Sequence, residues 1–141
     1  MSKTLASAAT VPAPASYRVM LVDDSAVIRG LMTRWLESAP GCSVVAWASN
    51  GLAAVQQVKQ ARPDVLVLDI EMPQMDGLTA LPQLIAACPG VKIIVASTLT
   101  KRNAEISLRA LTLGATDYLA KPTSMREGGK VGDFQIGRAH V

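Results

Sequence analysis

The sequence predicts a doubly wound α/β domain in which helices cover both faces of five parallel strands. Short apolar runs of strand length alternate along the chain with longer segments whose apolar residues recur at helical spacing. Units of this kind are joined by right-handed crossovers, so their strands lie parallel. Polar residues directly follow several of the apolar runs, and in a parallel sheet those positions share one edge, where ligands bind. We therefore expect the functional site at the carboxyl ends of the strands.

The first unit combines an apolar strand with a capped helix. Tyr17–Val22 is the predicted strand, and it leads directly into Asp23-Asp24-Ser25. Either Asp24 or Ser25 is expected to cap the helix, because a short polar side chain accepts a hydrogen bond from the first free amides. The helix itself is indicated by apolar residues at helical spacing, namely Ile28, Leu31, Trp35 and Leu36.

The next two strands are predicted at Val44–Ala48 and Val65–Leu68. Between them, Asn50-Gly51 begins a helix that Pro63 closes. The apolar residues of this helix are Leu52, Val55 and Val58. The third strand is apolar throughout, which is typical of a central strand covered on both faces. Asp69 ends this run, so we expect its side chain to face the site and not the core.

The last two units follow the same plan. A helix over Leu78–Ala87 precedes a strand at Lys92–Ala96, and a helix over about Asn103–Leu113 precedes a strand at Asp117–Ala120. Gly114 is expected to end the second of these helices as a C′ glycine. The residues expected to be available for burial on that helix are Ile106, Leu108 and Leu111.

Length and charge limit the classes of function. The chain has 141 residues, half of them hydrophobic, which is enough for one folded domain but not two. Its net charge is +3, yet residues 17–121 contain ten basic and nine acidic side chains, so the folded part is nearly neutral. Aromatic residues are also scarce, and no basic stripe with stacking rings is visible. These features argue against nucleic-acid binding.

The cysteine pattern and the hydropathy indicate a cytoplasmic protein. Cys42 and Cys88 form neither a Cys-x-x-Cys pair nor a zinc-binding pattern, as expected of reduced thiols. No apolar run reaches the ~20 residues that a membrane helix needs. Residues 1–16 are small, proline-bearing and without periodicity, so we interpret them as a flexible leader outside the domain.

The polar residues at the strand ends indicate phosphoryl transfer. Asp23 and Asp24 follow the first strand, Asp69 the third, Ser97 the fourth and Lys121 the fifth. Three neighbouring carboxylates repel one another unless a cation neutralises them, and oxygen ligands without His or Cys favour Mg²⁺ or Mn²⁺. At such a centre a carboxylate such as Asp69 attacks phosphorus, while Lys121 neutralises charge and Ser97 donates a hydrogen bond to a phosphoryl oxygen.

These motifs resemble those of the receiver domains of two-component response regulators. The resemblance covers Tyr17–Pro122, and the residues that carry it are Val22-Asp23-Asp24-Ser25, the segment from Asp69 to Gly77, Ser97 and Lys121-Pro122. It implies a flavodoxin-like sheet with the strand order 2-1-3-4-5 and phosphorylation by a histidine kinase. Asp69 is then the phosphoacceptor.

The resemblance also assigns further site residues. It implies that Asp23, Asp24, Asp69 and the backbone carbonyl of Glu71 bind Mg²⁺ or Mn²⁺. Ser97 and Tyr118 match the switch pair of the family, in which the hydroxyl moves toward the phosphoryl group and the aromatic ring turns inward. The surface around the fourth helix and fifth strand then changes.

Within the family, the motif sequences are most similar to those of the receivers of chemotaxis protein-glutamate methylesterases of the CheB type. The residues that indicate this group are Asp24-Ser25-Ala26, Arg29, Glu71-Met72-Pro73, Ser97-Thr98-Leu99-Thr100, Ala110-Leu111, Gly114-Ala115 and Lys121-Pro122-Thr123. The resemblance implies an attached methylesterase/deamidase output domain, with chemoreceptors as indirect partners. His140 is the only histidine, so this chain does not itself supply a Ser/His/Asp esterase site.

The segment after Pro122 departs from the family pattern. Gly128-Gly129 and Gly132 disfavour the amphipathic helix that usually ends a receiver, and Gly137 interrupts an apolar pattern that begins at Phe134. We expect residues 123–141 to form a linker with a truncated or irregular last helix, and we interpret residues 137–141 as added by cloning. A strip of core near the first and fifth strands would then be exposed or covered by a second chain, as in a dimer.

Three other functions are consistent with parts of the sequence. A stand-alone receiver that acts through protein contacts has the same motifs, and only the native downstream sequence separates it from the methylesterase interpretation. An Asp-nucleophile phosphatase usually has a second acid two residues after the nucleophile followed by Thr or Val, whereas here Glu71-Met72 follows. Binding of a nucleotide or flavin is disfavoured because no glycine-rich phosphate loop follows the first strand.

Overall fold

The computed structural model describes residues 16–72 and 75–121. In this part of the chain, strands and helices alternate as β1 (Tyr17–Val22), α1 (Ala26–Glu37), β2 (Cys42–Ala48), α2 (Gly51–Ala61), β3 (Val65–Asp69), α3 (Gly77–Ala87), β4 (Lys92–Ser97), α4 (Lys101–Thr112) and β5 (Asp117–Ala120). The strands are all parallel, in the order β2-β1-β3-β4-β5. The predicted fold class and strand order are confirmed, and β3 is the central strand.

Alternate residues of the central strands form two apolar layers, one on each face of the sheet. Met20, Val22, Leu66 and Leu68 pack with residues of α2, α3 and α4 on one face. Val19, Leu21, Val65 and Val67 pack with Met32 and Leu36 of α1 on the other face. Because both faces are covered, β3 is apolar and buried at every position up to the acid that ends it.

The helix starts follow the capping chemistry expected from the sequence, but one helix and one strand begin earlier than predicted. Ser25 is the N-cap of α1, where its hydroxyl accepts a hydrogen bond from the amide of Ile28 at 3.2 Å. Helix α4 begins at Lys101, two residues before the predicted start at Asn103, because Thr100 caps it. Strand β2 likewise begins at Cys42, two residues before the predicted position.

Helix α4 confirms two of the three residues that were expected to be available for burial. Ile106 and Leu111 are partly buried against the core, but the side chain of Leu108 is 56% exposed. The fully buried residues of α4 are Asn103, Ser107 and Ala110, which recur at helical spacing. Leu108 follows the buried Ser107 by one residue, so it is turned by roughly 100° from the inward face. The expectation for Leu108 was wrong because its position on the helix points away from the sheet.

Several predictions concern positions outside the described residues: the leader as far as residue 15, the last helix, the contact with a second chain and residues 137–141. They stay predictions. Among the described helices, none combines the length and the apolar character needed to cross a bilayer.

Candidate functional site

Two acids follow β1 at the carboxyl edge of the sheet, and the local hydrogen bonds fix the first of them. The backbone amide of Asp23 donates to the carbonyl of Ala48 on the neighbouring strand at 3.0 Å. Its Oδ1 atom accepts a hydrogen bond from the amide of Ser25 at 2.9 Å. The Asp23 side chain is therefore buried in a defined orientation, while Asp24 is exposed beside it.

Asp69 ends β3 and is 1% exposed. Its Oδ1 atom accepts a hydrogen bond from the amide of Glu71 at 3.0 Å and lies 3.2 Å from Nζ of Lys121. Its Oδ2 atom is buried and has no hydrogen-bond partner among the residues that the structure describes. A buried carboxylate oxygen without a partner is costly, so it indicates an atom kept available for a ligand or a reaction.

Lys121 joins two of the strand ends. Its Nζ atom lies 3.3 Å from Oδ2 of Asp23 and 3.2 Å from Oδ1 of Asp69. The position follows from the sheet, because the amide of Lys121 donates to the carbonyl of Ser97 at 2.9 Å just beyond the pairing of β4 with β5. One cation thus stands between two buried acids, where it partly neutralises their repulsion.

The electrostatics of the site are those of acids removed from water. The pKa of Asp69 is raised to about 6, chiefly by burial and also by the nearby charge of Asp23, against the opposing effects of the Glu71 amide and of Lys121. For Lys121, burial lowers the pKa of the ammonium group, but the attraction of Asp69 and Asp23 outweighs burial, so the net shift is upward. Lys121 is therefore charged at neutral pH, and Asp69 is mostly ionised.

The acidic cluster fits a hard divalent cation. Asp23, Asp24 and Asp69 each present a carboxylate oxygen, and these oxygens lie within 4.8 Å of one another. An all-oxygen donor set of this charge is the type that Mg²⁺ prefers. The exposed Asp24 makes one side of the cluster accessible from solvent, while the Oδ2 atom of Asp69 is buried.

The predicted switch residues lie on one face of the sheet. Tyr118 of β5 is in register with Val95 of β4, and Ser97 lies two residues farther along β4. Since side chains two residues apart on a strand share a face, Ser97 and Tyr118 project from the same side. Ser97 is buried and Tyr118 is 47% exposed.

Two glycines matter at this edge for a reason that sequence reasoning missed. A Cβ atom on Gly77 would lie 2.6 Å from the carbonyl oxygen of Asp69 and 2.7 Å from Cα of Ile70. On Gly51 it would lie 2.3 Å from the carbonyl oxygen of Met75. Asp76-Gly77 and Asn50-Gly51 signal turns, but only the structure reveals that the chain passes here at backbone-to-backbone distance.

A hydrogen-bonded cluster beside the site was also missed. The side chain of Asn103 in α4 is 2% exposed and bonds to Glu71 and Thr98, in the loops that follow β3 and β4. An asparagine in the first turn of a helix is common on the surface, so the sequence carried no signal for its burial.

Comparison with known proteins gives a consistent result. A family model described as the response regulator receiver domain matches residues 19–130. A protein-glutamate methylesterase/protein-glutamine glutaminase of Nitrobacter hamburgensis is 61% identical over 110 residues, which are 78% of this chain and 29% of that protein. The chain thus spans less than a third of the length of this curated relative.

Two solved structures share the fold. The response regulator domain of Thermotoga maritima CheB has a TM-score of 0.76 and 34% identity, over 89% of this chain and 94% of that one. The CheX-CheY-BeF3-Mg²⁺ complex of Borrelia burgdorferi has a TM-score of 0.74 and 26% identity, over 90% of this chain and 91% of that one. The resemblance to receiver domains, and to those of the CheB type in particular, is confirmed.

Proposed function

This chain belongs to the response regulator receiver domain family, and we propose that its Asp69 accepts a phosphoryl group from a chemotaxis-type histidine kinase. The observation that carries the proposal is the Oδ2 atom of Asp69, which is buried beside two further acids and a lysine and has no hydrogen-bond partner within the described part of the chain. With a pKa of about 6, the carboxyl group is mostly ionised at neutral pH and is able to act as a nucleophile.

The phosphoryl transfer is a single displacement at phosphorus. Oδ2 of Asp69 attacks the phosphorus of a phosphohistidine, the O–P bond forms, and the P–N bond to the imidazole breaks with its electron pair remaining on nitrogen. The product is an aspartyl phosphate and a histidine that takes its proton from solvent. Oδ1 stays in place during the attack because the Glu71 amide and Lys121 hold it.

We propose that Mg²⁺ or Mn²⁺ is held by Asp23, Asp24, Asp69 and the backbone carbonyl of Glu71. When bound, the ion neutralises charge on the phosphoryl oxygens. Lys121 supplies a second positive charge, and its contacts with Asp23 and Asp69 keep its ammonium group at the edge where the phosphoryl oxygens would lie. The fold shared with a complex that contains BeF3 and Mg²⁺ supports this assignment.

Ser97 and Tyr118 are proposed to report the phosphorylated state. The Ser97 hydroxyl donates a hydrogen bond to a phosphoryl oxygen, and movement of its loop makes room for the aromatic ring on the same face of the sheet. Because Tyr118 starts half-exposed, its inward turn would change the surface of α4 and β5.

At the level of the whole protein, we propose that this receiver regulates a methylesterase/deamidase domain of a cytoplasmic chemotaxis protein. The similarity to protein-glutamate methylesterases over 78% of the chain supports this proposal over a stand-alone receiver. Phosphorylation would relieve inhibition of the output domain and expose it to glutamyl esters of chemoreceptors. Measuring methanol release by the product of the complete gene, with and without Asp69→Asn, tests it; equal activation of both proteins by the kinase would refute it.

The phosphoacceptor is tested by intact-protein mass after incubation with acetyl phosphate and Mg²⁺. We expect the chain to gain about 80 Da, the mass of one phosphoryl group, and Asp69→Asn to gain nothing. Asp64→Asn is the matched control, because it changes the acid at the other end of β3 and should gain the same mass as the natural chain. Chelation of the metal with EDTA should abolish the gain. Phosphorylation of Asp69→Asn, or none in a folded, metal-loaded natural chain, would contradict the proposal.

A further inference from the structure

One buried side-chain amide connects the two loops that flank Asp69. Nδ2 of Asn103 lies 3.2 Å from Oε1 of Glu71, 3.1 Å from the carbonyl oxygen of Thr98 and 3.0 Å from Oγ1 of Thr98. The Thr98 hydroxyl also lies 3.4 Å from Oε1 of Glu71. Glu71 follows β3 and Thr98 follows β4, so the Asn103 amide bridges the two strand ends from the first turn of α4.

Each end of this bridge is one step from the phosphoacceptor centre. The Glu71 amide donates to Oδ1 of Asp69 at 3.0 Å. Thr98 is bonded covalently to Ser97, whose carbonyl accepts the amide of Lys121. A displacement of Asp69 is therefore passed to Glu71, and a displacement of Ser97 is passed to Thr98. Asn103 contacts both Glu71 and Thr98.

Asn103 is the one buried residue in the first turn of α4, residues 101–104. The fully buried residues of α4 are Asn103, Ser107 and Ala110, with Ile106 and Leu111 partly buried, whereas α3 fully buries Leu81 and Leu84. Small and polar side chains remove little apolar surface from water, so they contribute less to holding a helix in place. The Asn103 side chain is the polar anchor of this end of α4.

We propose that Asn103 is a positioning residue that transmits the state of Asp69 to the first turns of α4. The inference rests on the proposed phosphorylation of Asp69. When the phosphoryl group engages Ser97 and alters the surroundings of the Glu71 amide, the loops after β3 and β4 shift, and α4 follows because Asn103 is bonded to both. Without the amide, the site still accepts the group, but α4 no longer responds.

The test measures hydrogen exchange in α4 with and without beryllofluoride and Mg²⁺, a stable mimic of the phosphoryl group. In the natural chain we expect the exchange of α4 amides to change when the mimic binds. In Asn103→Ala we expect exchange of the first turns to be about tenfold faster from the start, and unchanged by the mimic. Binding itself is followed separately by the ¹⁹F NMR signal of bound beryllofluoride.

Thr100→Ala is the matched control. It removes the N-cap hydroxyl, which accepts a hydrogen bond from the backbone amide of Asn103 at 3.0 Å. It leaves the side-chain amide of Asn103, and therefore the bridge, intact. We expect faster exchange of α4 in this variant with a preserved response to the mimic. A second pair separates hydrogen bonding from charge: Glu71→Gln keeps an acceptor and should keep the response, and Glu71→Ala should lose it.

The outcomes distinguish the two proposals. If Asn103→Ala binds beryllofluoride and α4 still responds as in the natural chain, Asn103 is only structural and the inference is wrong. If the natural chain shows no bound ¹⁹F signal, the proposed function fails and the inference fails with it. If Asn103→Ala does not fold, a full response in Glu71→Ala would still overturn the inference.

Discussion

The two ends of β3 carry the same side chain with opposite surroundings. Asp64 precedes the strand, is exposed, and accepts a hydrogen bond from the amide of Arg18 at 2.8 Å. Asp69 ends the strand and is buried, and one of its carboxylate oxygens has no hydrogen-bond partner among residues 16–72 and 75–121. The Asp64 carboxylate stabilises the fold, whereas burial of the Asp69 carboxylate, five residues later, destabilises it.

The difference follows from the direction of the parallel strands. At the amino edge, backbone groups pair across the loops, as the amide of Asp64 does with the carbonyl of Arg18 at 2.8 Å and the amide of Lys92 does with the carbonyl of Asp64 at 3.1 Å. At the carboxyl edge the backbone is also paired, as the amide of Ile70 is with the carbonyl of Ala96 at 3.2 Å, but acidic side chains converge there with a single lysine between them. The carboxyl edge is thus prepared for a ligand at the expense of stability.

The largest effect is expected from Asp69→Asn, which should stabilise the protein in metal-free buffer. The Asp69 pKa is about 6 in the folded state against 3.8 for the ordinary group, so the folded state binds the proton more tightly. Its contribution to stability is complete below about pH 4 and is lost as the pH rises through about 6. We expect the variant to gain up to about 3 kcal/mol at neutral pH and almost nothing near pH 4.

Urea unfolding of both proteins across this pH range, with EDTA present, measures the gain. Asp64→Asn serves as the control, because it removes the acid that precedes the same strand. We expect this variant to be no more stable than the natural chain. A gain for Asp69→Asn that is independent of pH would mean that its carboxylate is not the source of the strain.

The second effect is the loss of the cation that separates the acids. Lys121→Met keeps most of the apolar stem but leaves the buried carboxylates of Asp23 and Asp69 without a positive partner. We expect a loss of about 2 kcal/mol at neutral pH without metal. Because added Mg²⁺ would replace the missing charge, the increase in Tm with Mg²⁺ should be larger in this variant than in the natural chain. An equal increase in both proteins would count against a shared site.

The third effect tests how closely the chain passes the acceptor. In Gly77→Ala the new methyl group would lie 2.6 Å from the carbonyl oxygen of Asp69, so the backbone has to shift at a cost of about 1–2 kcal/mol. Gly30→Ala is the matched control, because its Cβ would have no atom of the described residues within 4 Å and the change should stabilise α1 by up to about 1 kcal/mol. Thermal unfolding that shows the same sign for both variants would contradict this account.

The fold was largely predictable from the sequence because each strand is marked twice, by an apolar run and by the polar residue that ends it. Asp23, Asp69 and Lys121 could be placed at one edge since parallel strands bring their carboxyl ends together. The role of Asn103 could not be predicted, because its burial depends on how α4 is rotated over two loops. The exposed Leu108 shows the same limit, since residue type alone does not determine which side of a helix faces the sheet.

The smallest effect is expected at Asp64, which has the same side chain as Asp69 but different surroundings. Asp64→Ala removes an exposed hydrogen bond to the amide of Arg18, but the backbone pairing of residue 64 with Arg18 and Lys92 remains. We expect a loss of about 0.5–1 kcal/mol in urea unfolding. The loss should be unaffected by Mg²⁺, because Asp64 lies at the edge of the sheet opposite the acidic cluster. If Mg²⁺ stabilised Asp64→Ala less than the natural chain, the two ends of β3 would be coupled, and the separation of a supporting edge from a reactive edge would be wrong.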